Sequence, residues 1–149
     1  MITLPSRLRM GVPAGTTNLL LNSNPFSGTS NWTPVNSAIS ESGGVLAVND
    51  NGAFGVANQA VAVTIGVTYT LTGTYYTDGT SGQRANIGIK HGDRANIAEP
   101  ADQSAGAYTG TSPLEVTFDF TATDSFVTVK LVSVSDNISY FKDVTLTEA

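Results

Sequence analysis

Hydrophobic positions in this chain recur at every second residue over short runs and nowhere sustain the three-to-four spacing of an amphipathic helix. From Val67 to Tyr76, the side chains of Val67, Tyr69, Leu71 and Tyr75 share one face, while Thr68, Thr70, Thr72, Thr74 and Tyr76 share the other, because successive residues of a strand point to opposite sides. The first set belongs in a core. Val116, Phe118, Phe120 and Ala122 oppose Glu115, Thr117, Asp119 and Thr121 in the same way, and Ile87 and Ile89 oppose Asn86, Gly88 and Lys90. One wet face per strand is what an antiparallel sheet permits. Such runs, separated by clusters of Gly, Asn, Asp, Ser and Pro, predict strands near 18–22, 34–40, 44–49, 54–63, 67–76, 84–91, 114–121, 126–134 and 138–147. Short strands in that number, with turns between them, make an all-β sandwich or barrel.

Punctuation between the runs refines this picture. Asp50-Asn51-Gly52 lies between Val45-Leu46-Ala47-Val48 and Phe54-Gly55-Val56, and Asn-Gly readily takes the positive φ angles of a tight turn, so a hairpin is expected there. The stretch 92–113 is rich in Ala, Gly, Ser and Pro and has no strand pattern; a loop of that length in a small domain is usually functional or mobile. Residues 1–17 read as an N-terminal arm, since Pro5, Gly11, Pro13 and Gly15 interrupt any regular element and the apolar residues are scattered. The domain proper then runs over 18–149.

The chain has 149 residues, enough for one domain with a substantial core. It contains no cysteine, which excludes disulfides, thiolate metal sites and cysteine nucleophiles. Its net charge of -5 and only seven basic residues oppose nucleic-acid binding, which requires clustered Lys and Arg. No apolar stretch approaches a membrane span or a secretory signal, so neither is expected.

Catalytic chemistry finds little to build on. The one histidine, His91, is followed by Gly92-Asp93-Arg94 and reads as part of a turn, and the carboxylates are scattered singly. No metal, cofactor or catalytic residue is expected. What remains is recognition by aromatic and polar side chains: an exposed aromatic ring can stack on the C–H face of a sugar. Trp32 and Tyr75 are expected in the core, whereas Tyr76, on the threonine face, and Tyr108, in the long loop, are expected to be exposed. With Arg84, Lys90 and Arg94 as nearby hydrogen-bond donors, they are the candidate glycan-binding residues.

Three blocks arrive in order along the chain. The first is Asn18-Leu19-Leu20 with Asn24-Pro25-Phe26 and Trp32; the second is Ala57-Asn58-Gln59-Ala60-Val61 with Gly66-Val67-Thr68-Tyr69-Thr70-Leu71; the third is Phe141-Lys142-Asp143-Val144-Thr145-Leu146. Together they resemble the galactose-binding-like jelly rolls, and among them the carbohydrate-binding modules of families four, nine and twenty-two. The resemblance covers about residues 18–149 and implies an antiparallel jelly-roll β-sandwich. Ser27 stands where that family has Glu, and Lys142 where it has the first Asp of its closing pair. In the family these carboxylates lie near a structural calcium, so the resemblance implies no calcium here, with Lys142 hydrogen-bonding in its place.

Similar jelly rolls occur in structural proteins of tailed bacteriophages. A start without a signal peptide and a small domain standing alone lead to the expectation of a non-catalytic virion surface protein, a capsid decoration protein that reaches the outside by lysis. Its arm would lie on the major capsid protein or another virion protein, with Leu4, Arg7, Leu8, Arg9 and Met10 as contacts. Self-association is expected, and a trimer would suit a capsid threefold site. The alternative is a glycan-binding module, free or within a phage head or tail fibre.

Overall fold

The computed structural model describes residues 17–52, 54–80, 84–135 and 138–149. None of these is helical. The strands are β1 (Thr33–Val35), β2 (Ser37–Ser42), β3 (Val45–Asp50), β4 (Phe54–Ala62), β5 (Thr68–Thr77), β6 (Arg84–His91), β7 (Gln103–Ser104), β8 (Leu114–Thr121), β9 (Phe126–Val134) and β10 (Ile138–Glu148). They form two antiparallel sheets, β1-β4-β9-β6-β7 and β2-β3-β10-β5-β8, whose inner faces meet as a jelly-roll sandwich.

The alternation read from the sequence sets these faces. Leu46, Val48, Leu71, Tyr75, Phe141 and Leu146 of the second sheet bury against Ala57, Ile87, Ile89, Val127, Val129 and Leu131 of the first. Each large apolar side chain placed there stabilises the fold by roughly 1.5–3 kcal/mol, so the inter-sheet core dominates the energetics. Trp32 and Tyr75 are part of it, as expected. Their polar ends are satisfied: Trp32 Nε1 donates to the Asn22 carbonyl (2.8 Å) and the Tyr75 hydroxyl to the Gly106 carbonyl (2.6 Å).

Local structure departs from the sequence reading at four places. The expected strand at 18–22 is not a strand: side chains replace the ladder. Gln59 accepts from the Leu21 amide (2.7 Å) and donates to its carbonyl (2.9 Å), while Asn18 Oδ1 accepts from the amides of Leu20 and Leu146. The expected strand at 34–40 is broken at Asn36, whose φ of 52° ends the alternation and sends β1 to the first sheet and β2 to the second. The Asp50–Gly52 turn exists, with Gly52 at φ 126° and its amide donating to Asp50 Oδ1 (3.0 Å). It is not a hairpin, because β3 and β4 belong to different sheets; turn chemistry dictates a reversal of the chain and leaves its destination open. The two-residue hairpin lies one strand earlier, where Gly43 and Gly44, both at positive φ, close β2 onto β3 with Ser42 opposite Val45.

The fourth departure is in 92–113, which contributes β7 to the first sheet, covers that sheet's outer face with its first residues and packs Ala105 and Tyr108 against the core. The predicted arm contacts Leu4, Arg7, Leu8, Arg9 and Met10 lie outside the described residues.

Candidate functional site

The outer face of the second sheet carries Tyr76, one of the two aromatics expected to be exposed, together with Tyr140. Register places Ser40, Ala47, Tyr140 and Tyr76 side by side across β2, β3, β10 and β5. Tyr76 and Tyr140 stack with ring centroids 4.9 Å apart and an interplanar angle of 18°, the parallel contact that a cross-strand aromatic pair favours. Both are half-buried. Burial, and then the neighbouring Tyr140, push the Tyr76 hydroxyl above its ordinary pKa, so it remains a neutral donor and acceptor.

Beside this pair the face drops to small side chains. Ser40, Ser42, Val45, Ala47 and Ile138 complete with the two tyrosines a groove of about 350 Å³. Aromatic height on one side and Ser/Ala floor on the other produce a step, and among the described residues no charged side chain lines it. The hairpin that forms the far wall is braced from outside: the Glu41 carboxylate accepts from the amides of Gly28 (2.6 Å) and Gly44 (3.0 Å). Those two bonds, that from Gly28 the larger, lower the Glu41 pKa.

The other glycan candidates do not join Tyr76. Tyr108 meets Tyr75 edge-on at 5.9 Å and pairs with Ala85. Since Tyr75 points inward and Tyr76 outward, Tyr108 lies on the opposite side of β5 and is partly buried against the core; its expected exposure fails because the loop folds back onto the sandwich. Arg84, Lys90 and Arg94 belong to the first sheet or its covering loop. Lys90 pairs with Asp102 (3.0 Å), and Arg94 forms a two-pronged bridge to Glu99 (2.6 and 3.1 Å). His91 packs edge-on against Phe120, a structural position.

Tyr140 was visible in the sequence as an outward residue of an alternating strand, but its partnership with Tyr76 depends on the register of β10 against β5, residues 64 positions apart. Where the resemblance places a calcium, Lys142 donates no hydrogen bond among the described residues, contrary to expectation. Nor do three His, Asp or Glu side chains converge on a cation site among them.

No family model matches the sequence, and no curated protein does. Solved structures do match the fold. The tandem CBM22-1–CBM22-2 domain of Paenibacillus barcinonensis Xyn10C superposes with a TM-score of 0.68 at 14% identity, over 93% of this chain and 48% of that one. A family 29 carbohydrate-binding module complexed with cellulohexaose gives 0.62 at 11% identity, over 91% and 92%. The enzymatically active domain of bacteriophage CBA120 tailspike protein 4 gives 0.62 at 14% identity, over 89% of this chain and 21% of that one. At these identities the likeness is one of fold: the chain is a jelly roll like those of carbohydrate-binding modules.

Proposed function

We propose that this chain is a non-catalytic glycan-binding module that takes a neutral sugar on the outer face of the second sheet. The observation that carries the reading is the stacked Tyr76–Tyr140 pair standing beside a groove lined, among the described residues, by uncharged side chains. Stacking of a sugar face on Tyr140 or Tyr76 supplies apolar contact, and the hydroxyls of Ser40, Ser42 and the tyrosines supply hydrogen bonds. The carbohydrate-binding modules of matching fold, one of them a xylan-binding domain and another bound to cellulohexaose, support the choice of ligand class.

The test is titration of soluble xylo-, cello- and manno-oligosaccharides into the protein and its Tyr76→Ala and Tyr140→Ala variants. Either substitution is expected to cost about 1–2 kcal/mol of binding, roughly tenfold in Kd, while Tyr108→Ala leaves binding unchanged. Affinity that survives both tyrosine substitutions rules this face out.

A second reading is a virion setting, supported by the tailspike domain of matching fold. In it the jelly roll is a decoration protein on a phage capsid, held to the major capsid protein through Leu4, Arg7, Leu8, Arg9 and Met10. A chain lacking residues 2–15 should then fold but fail to join the particle, and assembly of the truncated chain would sink the idea.

A further inference from the structure

The first sheet buries a lysine against a carboxamide. Asn58 on β4 stands directly opposite Lys130 on β9 in the antiparallel register, and neither residue is exposed to solvent. Lys130 Nζ lies 3.2 Å from Asn58 Oδ1, so the amine touches the side-chain amide of its cross-strand neighbour. The segment 92–102 covers the pair and fixes it. Asn58 Nδ2 donates to the carbonyls of Ala95 and Ile97 (3.1 Å each), and Lys130 Nζ donates to that of Ile97 (3.2 Å). These bonds turn the carboxamide nitrogen toward the segment and its carbonyl toward the lysine.

The surrounding charges favour a neutral amine. Lys130 lies in the field of Lys90 on β6 and of Arg94, Glu99 and Asp102 in the covering segment. Both carboxylates pair with other cations, Asp102 with Lys90 (3.0 Å) and Glu99 with Arg94 (2.6 and 3.1 Å). The two hydrogen-bond acceptors on Lys130, Asn58 Oδ1 and the Ile97 carbonyl, are uncharged. A buried lysine in that position sheds its proton readily, and the amine it leaves is a nucleophile. Of the two carboxylates, Glu99 acts more strongly on the Lys130 charge, which makes it the proton carrier.

We infer that Lys130 and Asn58 close an intramolecular isopeptide bond that staples β4 to β9. The Lys130 ammonium gives a proton to the Glu99 carboxylate, and the freed lone pair on Nζ attacks Asn58 Cγ. As the Cγ–Nδ2 bond breaks, Nδ2 takes the proton from Glu99 and departs as ammonia. The linked Nζ then returns a proton to Glu99, and that proton leaves with the ammonia as ammonium. One lysine ammonium and one carboxamide thus become one secondary amide and one ammonium ion, with atoms and charge in balance. Contact between amine and carbonyl in the folded chain replaces a bimolecular encounter. The new bond joins residues 72 positions apart and constrains the unfolded chain as a disulfide does.

The experiment is intact-mass spectrometry of the full chain, freshly folded and after incubation at about pH 9.5, where the buried amine is neutral. Closure is expected to lower the mass by one ammonia, about 17 Da. Trypsin should then release one branched peptide that joins residues 10–84 to residues 95–142 and is uncut at Lys130. Lys130→Met should keep its full mass, and Glu99→Gln should lose ammonia about 100-fold more slowly. The linked chain should melt roughly 10 °C above the unlinked one. An unchanged mass in the incubated, folded protein would overturn the proposal, as would ammonia lost equally by Lys130→Met. The branched peptide covers the case in which Lys130→Met does not fold: ammonia lost from the parent chain without that peptide comes from another asparagine and sinks the idea.

Discussion

Two side chains carry most of the electrostatic information in this molecule. Burial strips the Lys130 ammonium of water and holds its pKa at about 8, against an ordinary 10.5. Between those values the unfolded chain retains a proton that the folded chain has released, so stability rises with pH across that window. Denaturant midpoints of the freshly folded, unlinked protein and of Lys130→Met at about pH 7.5 and about pH 9.5 should show the rise in the first and not in the second. Tyr75 and Tyr76, both raised chiefly by burial, act in the opposite direction at still higher pH and are common to both proteins. Glu41 acts in the same direction as Lys130, at lower pH and by favouring its charged form. Its lowered pKa means that its brace on Gly28 and Gly44 is complete above the ordinary carboxylate range and is lost as pH falls through the folded value. Acid unfolding of Glu41→Gln is therefore expected to be less steep in that range, with a lower midpoint at neutral pH, measured by circular dichroism.

At the scale of elements, two segments without regular structure are held by particular residues of the strands beneath them. Gln59 on β4 clamps both backbone groups of Leu21, so Gln59→Leu removes two hydrogen bonds at once. The expected cost is about 1–3 kcal/mol, read from chemical denaturation. Gly88 on β6 lets the covering loop lie flat: a Cβ there would stand 2.6 Å from the Ala101 Cβ and 2.7 Å from the Gln103 carbonyl oxygen. Gly88→Ala should destabilise the protein by about 1–3 kcal/mol and speed hydrogen exchange in 92–105 more than in β9. Neither dependence is visible along the chain. Gly88 reads as one more weak point in an alternating strand, and Gln59 as a polar exception on the face it shares with Ala57 and Val61, until a second segment is packed on each.

Across the whole molecule, period-two alternation accounted for the strands from β3 to β6 and from β8 to β10, and for the inward set headed by Tyr69, Leu71, Tyr75, Ile87 and Ile89. These follow from local geometry, since the pleat assigns each side chain a face whatever its neighbours are. The same alternation turned Tyr76 outward. Which strand lies beside which was decided only in three dimensions. Asn36 sends adjacent residues to different sheets, and the Asp50–Gly52 turn crosses between sheets where its residues promised a hairpin. Strand partnership also made the tyrosine pair and the buried polar row: Tyr140 reaches Tyr76 through the β10–β5 register, and Lys130 meets Asn58 through β9–β4. The sequence by itself determined an all-β sandwich and the two faces of its strands, because those depend on neighbours one and two residues away. The tyrosine step and the covered lysine depend on contacts across tens of residues, and for that reason only the tertiary structure could decide them.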